Sequence, residues 1–448
     1  RARFPLEVVR RIRAEVGRDF PLLYRLSAEE RIPGGTTLED SLILVRLLEE
    51  AGVDCFDVSV GIYDSIDQIY TMQGQAPGGL LPLAEAVKRV TSKPVIGVSR
   101  LGWNLDCAAR AVEEGRIDLA TIGRSLLADA YLPKKYYTGF RQEIVPCLAC
   151  NECIGMMERS LQLHCVVNPL LSYEYQNPIR PAAKSKTVLV IGGGPAGMQC
   201  AVTAAIRGHR VTLIEKEDSL GGQLLAATRV TEKAAEIGAL VAYFEHMLKK
   251  HGVETRTGLE ITSVQDMKMK PDVVVLAVGA SANHPRFPGA ERVITAFDML
   301  KNDGQNTGTR IAVIGASGVG IDAALYLTQT KGREVTVVEM KEEVGGDLNE
   351  FLKHHSLSIA EKRGIRFITN WRAVSASQTA LRGETLFGEQ EIDCDTIVAA
   401  CGFTARPTRA LQLAFEECGA EVHIIGSAIQ AGTIFDATQT GFWIGAEI

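Results

Sequence analysis

The chain has 448 residues, 46% of them apolar and 23% charged, with a formal net charge of −6. Roughly two to four domains fit that length, and the composition is ordinary for a globular protein. The mild acidity gives no footing for nucleic acid or an anionic membrane surface as partner, and no apolar run approaches the length of a membrane span.

The first residue is Arg1, and FPLEVVRRIRAEVG reads as a helix with no signal-peptide pattern before it. The chain is expected to be a fragment or processed product. Up to residue 140, short apolar runs alternate with amphipathic stretches. PLLYRLS (21–27), CFDVSVG (55–61), PVIGVS (94–99) and LATIGR (119–124) read as buried parallel strands. TLEDSLILVRLLEEAG, LPLAEAVKRV and DCAARAVEEG read as helices between them. Glu39, three residues after Thr36, suggests a capping box, and Gly52 and Gly115 stand where helices would end. Such strand–helix units predict β/α barrel construction, and those present would be the second half of an eight-stranded barrel. Functional residues of such barrels sit at the C-terminal strand ends. There the sequence offers Arg25 and Ser27, Tyr63 and Asp64, Ser99, Arg100 and Gly102, and Gly123 and Arg124. Arginines beside glycines after the last two strands are placed to hold a phosphate. Read singly, Arg100 and Arg124 are equally surface or salt-bridged arginines.

Next comes CLACNECIGMMERSLQLHC, with Cys147, Cys150, Cys153 and Cys165 at C-x2-C-x2-C-x11-C. Three thiolates on one tight loop and a fourth after an excursion surround a soft metal centre. Tetrahedral zinc is one occupant. The successive x2 spacing favours a cubane iron–sulfur cluster, since zinc ribbons pair two separate knuckles. The remaining cysteines, Cys55, Cys107, Cys200, Cys394, Cys401 and Cys418, are scattered through apparent core elements. That usage suits a reducing cytoplasm better than secretion.

The polar, proline-containing NPIRPAAKSK (177–186) marks a domain boundary. After it a strand runs into Gly192, Gly194 and Gly197 as G-x-G-x-x-G, followed by a small-residue helix and a strand ending at Glu215. The glycines admit a pyrophosphate to the helix N-terminus, and Glu215 is placed for a ribose hydroxyl. The pattern returns with Gly315, Ser317 and Gly320, and with Glu339 ending the second strand. Glu339 would accept from a free 2′-hydroxyl and repel a 2′-phosphate, so NADH is favoured over NADPH, a preference Lys341 softens. VVVLAVGA (273–280) and TIVAACGFTARP (396–407) look like returns between two interleaved nucleotide domains. VHIIGSAIQAGTIFDATQTGFWIG then reads as a strand into Gly426 followed by a helix.

Over essentially its whole length the chain resembles the iron–sulfur flavoenzymes that join an old-yellow-enzyme-like barrel to a flavin disulfide-reductase-like module. The cysteine motif and GGGPAG carry the resemblance most specifically. The group includes 2,4-dienoyl-CoA reductase, 2-enoate reductase, bile-acid enoate oxidoreductases and trimethylamine dehydrogenase. It implies an α/β fold made of the C-terminal half of a (β/α)8 barrel, an Fe–S linker, and two interleaved Rossmann-like domains. Residues 1–140 would be the second half of an FMN-binding TIM barrel and 141–183 the [4Fe-4S] segment and linker. Residues 184–300 with 396–448 would bind FAD, and 301–395 NAD(H). By the same resemblance Arg25 faces the flavin N1/O2 region, while Arg100, Arg124 and the Gly123 backbone hold the FMN phosphate. Cys147, Cys150, Cys153 and Cys165 hold [4Fe-4S], Gly222 and Gln223 lie near FAD, and the second fingerprint binds NADH.

Two departures stand out. The missing half-barrel would supply further FMN contacts and a proton-donating tyrosine. In GIYDS, Tyr63 replaces a histidine of the dienoyl-CoA reductases, which looks more like the 2-enoate and bile-acid reductases. Tyr63 then either hydrogen-bonds a substrate carbonyl or carboxylate or forms an aromatic wall. A smaller point is Ser427, where many relatives carry Asp for the FAD ribityl chain. The implied activity is NADH-dependent reduction of the C=C bond of an α,β-unsaturated acid, acyl-CoA or enone. Electrons would pass from NADH to FAD, [4Fe-4S], FMN and the small-molecule substrate. An amine dehydrogenase, or an NADH diaphorase module feeding a partner, are the rival readings. A homo-oligomer is an open expectation.

Overall fold

The computed structural model describes residues 2–266 and 270–448, which form two compact units, one ending at Phe140 and one beginning at Arg141. Among the described residues no helix is long and apolar enough to cross a membrane.

In the first unit, β1 (Leu23–Ser27), β2 (Cys55–Ser59), β3 (Val95–Gly97) and β4 (Leu119–Ala120) form a parallel sheet in sequential order. Helices Arg3–Val16, Leu38–Ala51, Leu81–Lys88 and Leu105–Glu113 bury their apolar stripes against it. Val45, Leu48, Phe56, Val87, Val95 and Leu101 lose all solvent contact, the signature of strands covered by crossover helices. The capping box falls one residue later than Thr36 and Glu39: Thr37 caps Leu38–Ala51 and Asp40 answers it. Adjacent threonines, each with an acid three residues on, make both registers plausible in sequence, and the extended backbone of Thr37 selects the second. Gly52 ends that helix in the left-handed conformation. The run expected as a strand over 119–124 leaves the sheet after Ala120, because β3 offers only Ile96 and Gly97 to pair with it.

The second unit contains β5 (Thr187–Ile191), β6 (Arg210–Ile214), β7 (Glu254–Arg256), β8 (Val273–Leu276), β9 (Ala280–Ala282), β10 (Ile294–Thr295), β11 (Arg310–Ile314), β12 (Glu334–Val338) and β13 (Arg366–Ile368). These are followed by β14 (Arg372–Ala376), β15 (Ala380–Thr385), β16 (Gly388–Asp393), β17 (Thr396–Ala399), β18 (Phe403–Ala405) and β19 (Glu421–Ile424). Two five-stranded parallel sheets result, β19-β8-β5-β6-β7 and β10-β17-β11-β12-β13. Each has the βαβ order of a dinucleotide-binding fold. Strands β10 and β17 pair inside the second sheet, on either side of the expected boundaries at 300/301 and 395/396. The antiparallel pair β9–β18 joins the two sheets' return segments. Lys233 and Asp322 form a 2.7 Å ion pair between the loop after helix Gln223–Ala227 and the second fingerprint helix, and Glu232 pairs with Arg363 beside it.

Candidate cofactor sites

In the first unit the loops after β3 and β4 converge on one segment. Arg100 donates to the carbonyls of Met72 and Gln75, both at 2.8 Å, and Arg124 donates to the Thr71 carbonyl at 2.9 Å. Ser99 and Arg100 both have positive φ, 130° and 49°. Such non-glycine strain persists only where the surroundings fix it. Here Ser99 shares a 3.2 Å hydroxyl contact with Thr71, and the Arg100 guanidinium lies 5.2 Å from the Trp103 ring centroid. Gly123 precedes the short helix Arg124–Ala128 and faces open space, so its backbone is approachable. The structure therefore brings Arg100 and Arg124 onto the 71–75 segment, with Gly123 next to Arg124 in the chain.

Arg25 sits in mid-strand rather than at the strand end and pairs with Asp57, its register partner on β2, at 2.6 Å. The other carboxylate oxygen, Asp57 Oδ1, is buried without a hydrogen-bond partner among the described residues. An orphaned buried oxygen of this kind invites a donor. Tyr63 opens a 3₁₀ turn and is 81% exposed within the described residues.

In the second unit the first glycine loop has a separate physical reason at each position. A Cβ on Gly192 would lie 2.3 Å from the Ala277 carbonyl oxygen, and one on Gly197 would lie 1.9 Å from that of Gly192. At Gly194, the N-cap of helix Pro195–Ile206, nothing lies within 4 Å, which is where a pyrophosphate needs room. Glu215, 6% exposed, accepts from Gly193 N at 2.6 Å and Glu217 N at 2.9 Å. An ionised carboxylate retains further lone pairs, so both bonds leave acceptor capacity. Gly222 packs on Gly194, with a Cβ there 3.1 Å from the Gly194 Cα, and Gln223 donates to the Ala280 carbonyl at 3.3 Å.

The second loop repeats this construction. Added Cβ atoms at Gly315 and Gly320 would lie 2.6 Å from the Ala400 oxygen and 1.9 Å from the Gly315 oxygen. Ser317 is the N-cap of helix Gly318–Leu327 and makes no side-chain cap bond. Glu339 accepts from Ala316 N at 2.8 Å and Lys341 N at 3.0 Å, matching Glu215 bond for bond. In addition, Asp347 accepts from Gly318 N with both oxygens, at 2.9 and 3.1 Å.

The cysteine segment belongs to the same unit. Cys147 and Cys150 lie on a loop, Cys153 on helix Glu152–Glu158, and Cys165 on the return. None of the four is in a disulfide. Burial pushes the Cys150 thiol well above its ordinary value, and the charges of Cys147, Cys165 and Cys153 push the same way against a bond from the Glu152 amide. Burial, with Cys147 and Cys153 adding, pushes Cys165 up to about 12. Among the described residues no group of three or more His, Cys, Asp or Glu is arranged to hold a metal ion. The loop is tied down from two directions. Asn349 donates to the Cys150 carbonyl at 3.0 Å and to Glu152 at 3.1 Å, and Thr438 donates to the Val166 carbonyl at 2.6 Å. Sequence reasoning missed Asn349, Asp347 and Asp57. Asn349 had a legible signal as the N-cap of helix Glu350–Lys362, but its second set of bonds had none.

The sequence pattern of the NADH:flavin oxidoreductase / NADH oxidase family matches residues 1–143, and that of pyridine nucleotide-disulphide oxidoreductases matches residues 186–425. A protein described as NADH oxidase from Thermoanaerobacter brockii is 37% identical across all of this chain and 70% of its own length. Cinnamate reductase of Clostridium sporogenes is 32% identical across all of this chain and 69% of its own. The chain belongs to the 2,4-dienoyl-CoA reductase and enoate reductase family. A solved complex of 2-naphthoyl-CoA reductase with 2-naphthoyl-CoA superposes on all of the chain and 68% of that structure, with a TM-score of 0.94 and 32% identity. Family membership makes the protein an oxidoreductase that uses flavin and nicotinamide, with a barrel-type unit followed by Rossmann-type domains.

Proposed function

We propose that the protein is an NADH-dependent ene-reductase for an α,β-unsaturated acid, acyl-CoA or enone. The observation that carries this reading is that one compact unit holds two dinucleotide cradles of the same build and the four-cysteine segment Cys147–Cys165. The unsaturated substrate follows the relatives whose names specify cinnamate and naphthoyl-CoA. Bound to the chain, the flavins would supply hydride chemistry and the cluster one-electron transfer, in the order nicotinamide, FAD, cluster, FMN, substrate.

The residues present suit these groups. The open approach at Gly194 and the acceptor capacity of Glu215 suit the pyrophosphate and ribose of FAD, with Gly222 and Gln223 alongside. Gly315, Ser317, Gly320 and Glu339 would take NADH. The Glu339 charge disfavours a 2′-phosphate. Arg100, Arg124 and the Gly123 backbone would hold the FMN phosphate by exchanging carbonyl partners for phosphate oxygens. Arg25 would set positive charge toward the flavin N1/O2 edge, held there by Asp57. Tyr63 would donate to the substrate carbonyl or carboxylate.

Cys147, Cys150, Cys153 and Cys165 would hold [4Fe-4S]. A zinc ion with Zn–S of about 2.3 Å draws its sulfurs to roughly 3.8 Å of each other. A cubane assigns one cysteine to each iron and spreads them further. The successive x2 spacing of Cys147, Cys150 and Cys153 suits the larger group.

The test is anaerobic turnover by protein loaded with FMN, FAD and iron sulfide. NADH should be consumed only when cinnamate, an enoyl-CoA or a 3-oxo-Δ4-steroid is present, and the product should gain two hydrogens by mass. Flavin bleaching by NADH with no acceptor reduced would leave a diaphorase. No bleaching would sink the NADH reading itself.

A further inference from the structure

The two dinucleotide cradles repeat each other beyond the fingerprint. After each acidic residue comes a Gly-Gly pair, Gly221-Gly222 and Gly345-Gly346, that folds back on the glycine loop. Gly221 N donates to the Gly193 carbonyl at 2.9 Å, and Gly345 N to the Ala316 carbonyl at 2.7 Å. Leu224 N and Leu348 N then close the same turn, each at 3.0 Å to the first glycine's carbonyl. Gln223 and Asp347 are therefore equivalent positions, and there the repeats part. In the first cradle the residue is a neutral amide turned to Ala280, and the fingerprint helix begins with Pro195, which has no N–H to offer. In the second cradle the helix begins with Gly318, and its N–H is held by both oxygens of Asp347.

The N-terminal amides of such a helix are the groups that receive a dinucleotide's pyrophosphate, because the amides and the helix dipole both favour negative charge. Asp347 already supplies that charge. Two anions cannot share one amide, so an arriving pyrophosphate must displace the carboxylate and then tolerate it nearby. Asp347 is exposed and follows two glycines, so moving it breaks no packed core.

We propose that Asp347 is a built-in competitor for the dinucleotide pyrophosphate at the second cradle. It caps the helix while the cradle is empty, weakens nicotinamide dinucleotide binding, and is displaced on binding. The proposal rests on the reading of the second cradle as the nicotinamide site.

Calorimetric titration of the FAD-loaded protein with NAD+, which binds without turnover, provides the test. Asp347→Asn keeps an acceptor for Gly318 N and removes the charge. It should tighten NAD+ roughly tenfold at low salt, an effect that shrinks as ionic strength rises. ADP-ribose, which keeps the pyrophosphate, should tighten alike, while adenosine should not change. Asp347→Ala, neutral by another route, should agree in direction. Ser317→Asp adds a fixed charge at a position where Asp is a good N-cap, so it should fold and should weaken NAD+. If Ser317→Asp weakens binding but neutralising Asp347 leaves it unchanged or weaker, the competitor proposal is overturned and the nicotinamide reading stands. If NAD+ binds neither the wild type nor Asp347→Asn, or ignores Ser317→Asp, the second-cradle reading falls and takes the proposal with it.

Discussion

Glu215 and Glu339 each brace a glycine loop at the place where the proposed function needs a ribose acceptor. Each gives one oxygen to an amide of its glycine loop and the other to the amide two residues on, which fixes the carboxylate in the cradle before any ligand arrives. On the proposed reading, fixing the charge would also set selectivity. Glu339→Gln keeps an acceptor for Ala316 N but removes the charge that would oppose a 2′-phosphate. The NADPH/NADH ratio of kcat/KM should rise about tenfold, equivalent to about 1.4 kcal/mol. An unchanged ratio would mean that Glu339 only braces the loop. The placement of these glutamates and glycines was legible in the sequence because it is local: strand, turn, helix and acid fall within some 30 residues. Asp57 was not legible. Its place opposite Arg25 depends on strand register between β1 and β2, which neither strand's own residues reveal.

At the level of elements, the helix Glu350–Lys362 carries its N-cap into the cysteine loop. Asn349 Oδ1 accepts from Leu352 N at 3.0 Å while Nδ2 holds the Cys150 carbonyl and Glu152. The two jobs separate by substitution. Asn349→Ala should cost about 1 kcal/mol of cap stability and also free the loop, so reconstituted protein should lose iron faster to a chelator. Asn349→Asp keeps the cap but cannot donate and sets a charge beside Glu152. It should recover the denaturation midpoint yet still lose iron fast. Iron retention equal to wild type in both variants would show that the loop holds itself. No sequence period could announce this bond, since its partners lie 199 positions apart. Arg100 and Arg124 were legible as strand-end arginines, but their convergence on residues 71–75 belongs to the folded loops.

A second element-level device is the ion pair of Lys233 with Asp322, each side chain 18% exposed. Burial raises the Asp322 pKa and Lys233 works to lower it, the net direction being upward. Lys233→Met would leave Asp322 without its cation, at a cost of about 2–3 kcal/mol, somewhat below that of a fully buried pair because water still reaches both partners. The sign of the pH dependence follows. A carboxylate whose folded pKa lies above its unfolded value binds more protons when folded, so stability falls as pH rises through that interval. Removing Lys233 lifts the folded pKa further. The gap between variant and wild type in urea should therefore be widest near neutrality and narrow as pH is lowered toward 3.8, the ordinary aspartate value. A gap constant with pH would assign the loss to packing instead.

For the whole molecule, the question is whether the cysteine segment is structure or wire. It follows the first unit in the chain and is bonded to the second dinucleotide domain through Asn349 and to the last helix through Thr438. A purely structural site and an electron relay both need four thiols, so loss of the site separates the readings only when the two half-reactions are measured apart. Cys153 sits on a helix and is buried, so serine there is nearly isosteric and leaves the backbone bonds of that helix in place. In Cys153→Ser, iron content and the EPR signal of the reduced cluster should fall sharply. NADH should still bleach the flavin of the second unit, and a small dye should still be reduced at near wild-type rate, because both dinucleotide cradles are intact. Reduction of an unsaturated acceptor by NADH should fall by about a hundredfold or more, since hydride transfer needs reacting atoms in near contact and no other one-electron carrier remains. Supplying electrons to FMN from a chemical reductant should restore it. If NADH-driven acceptor reduction survives loss of the cluster, the thiols are a staple, and the two flavins must meet directly. If dye reduction is lost as well, the segment organises the dinucleotide domains and its role in relay has to be measured in a variant that keeps them.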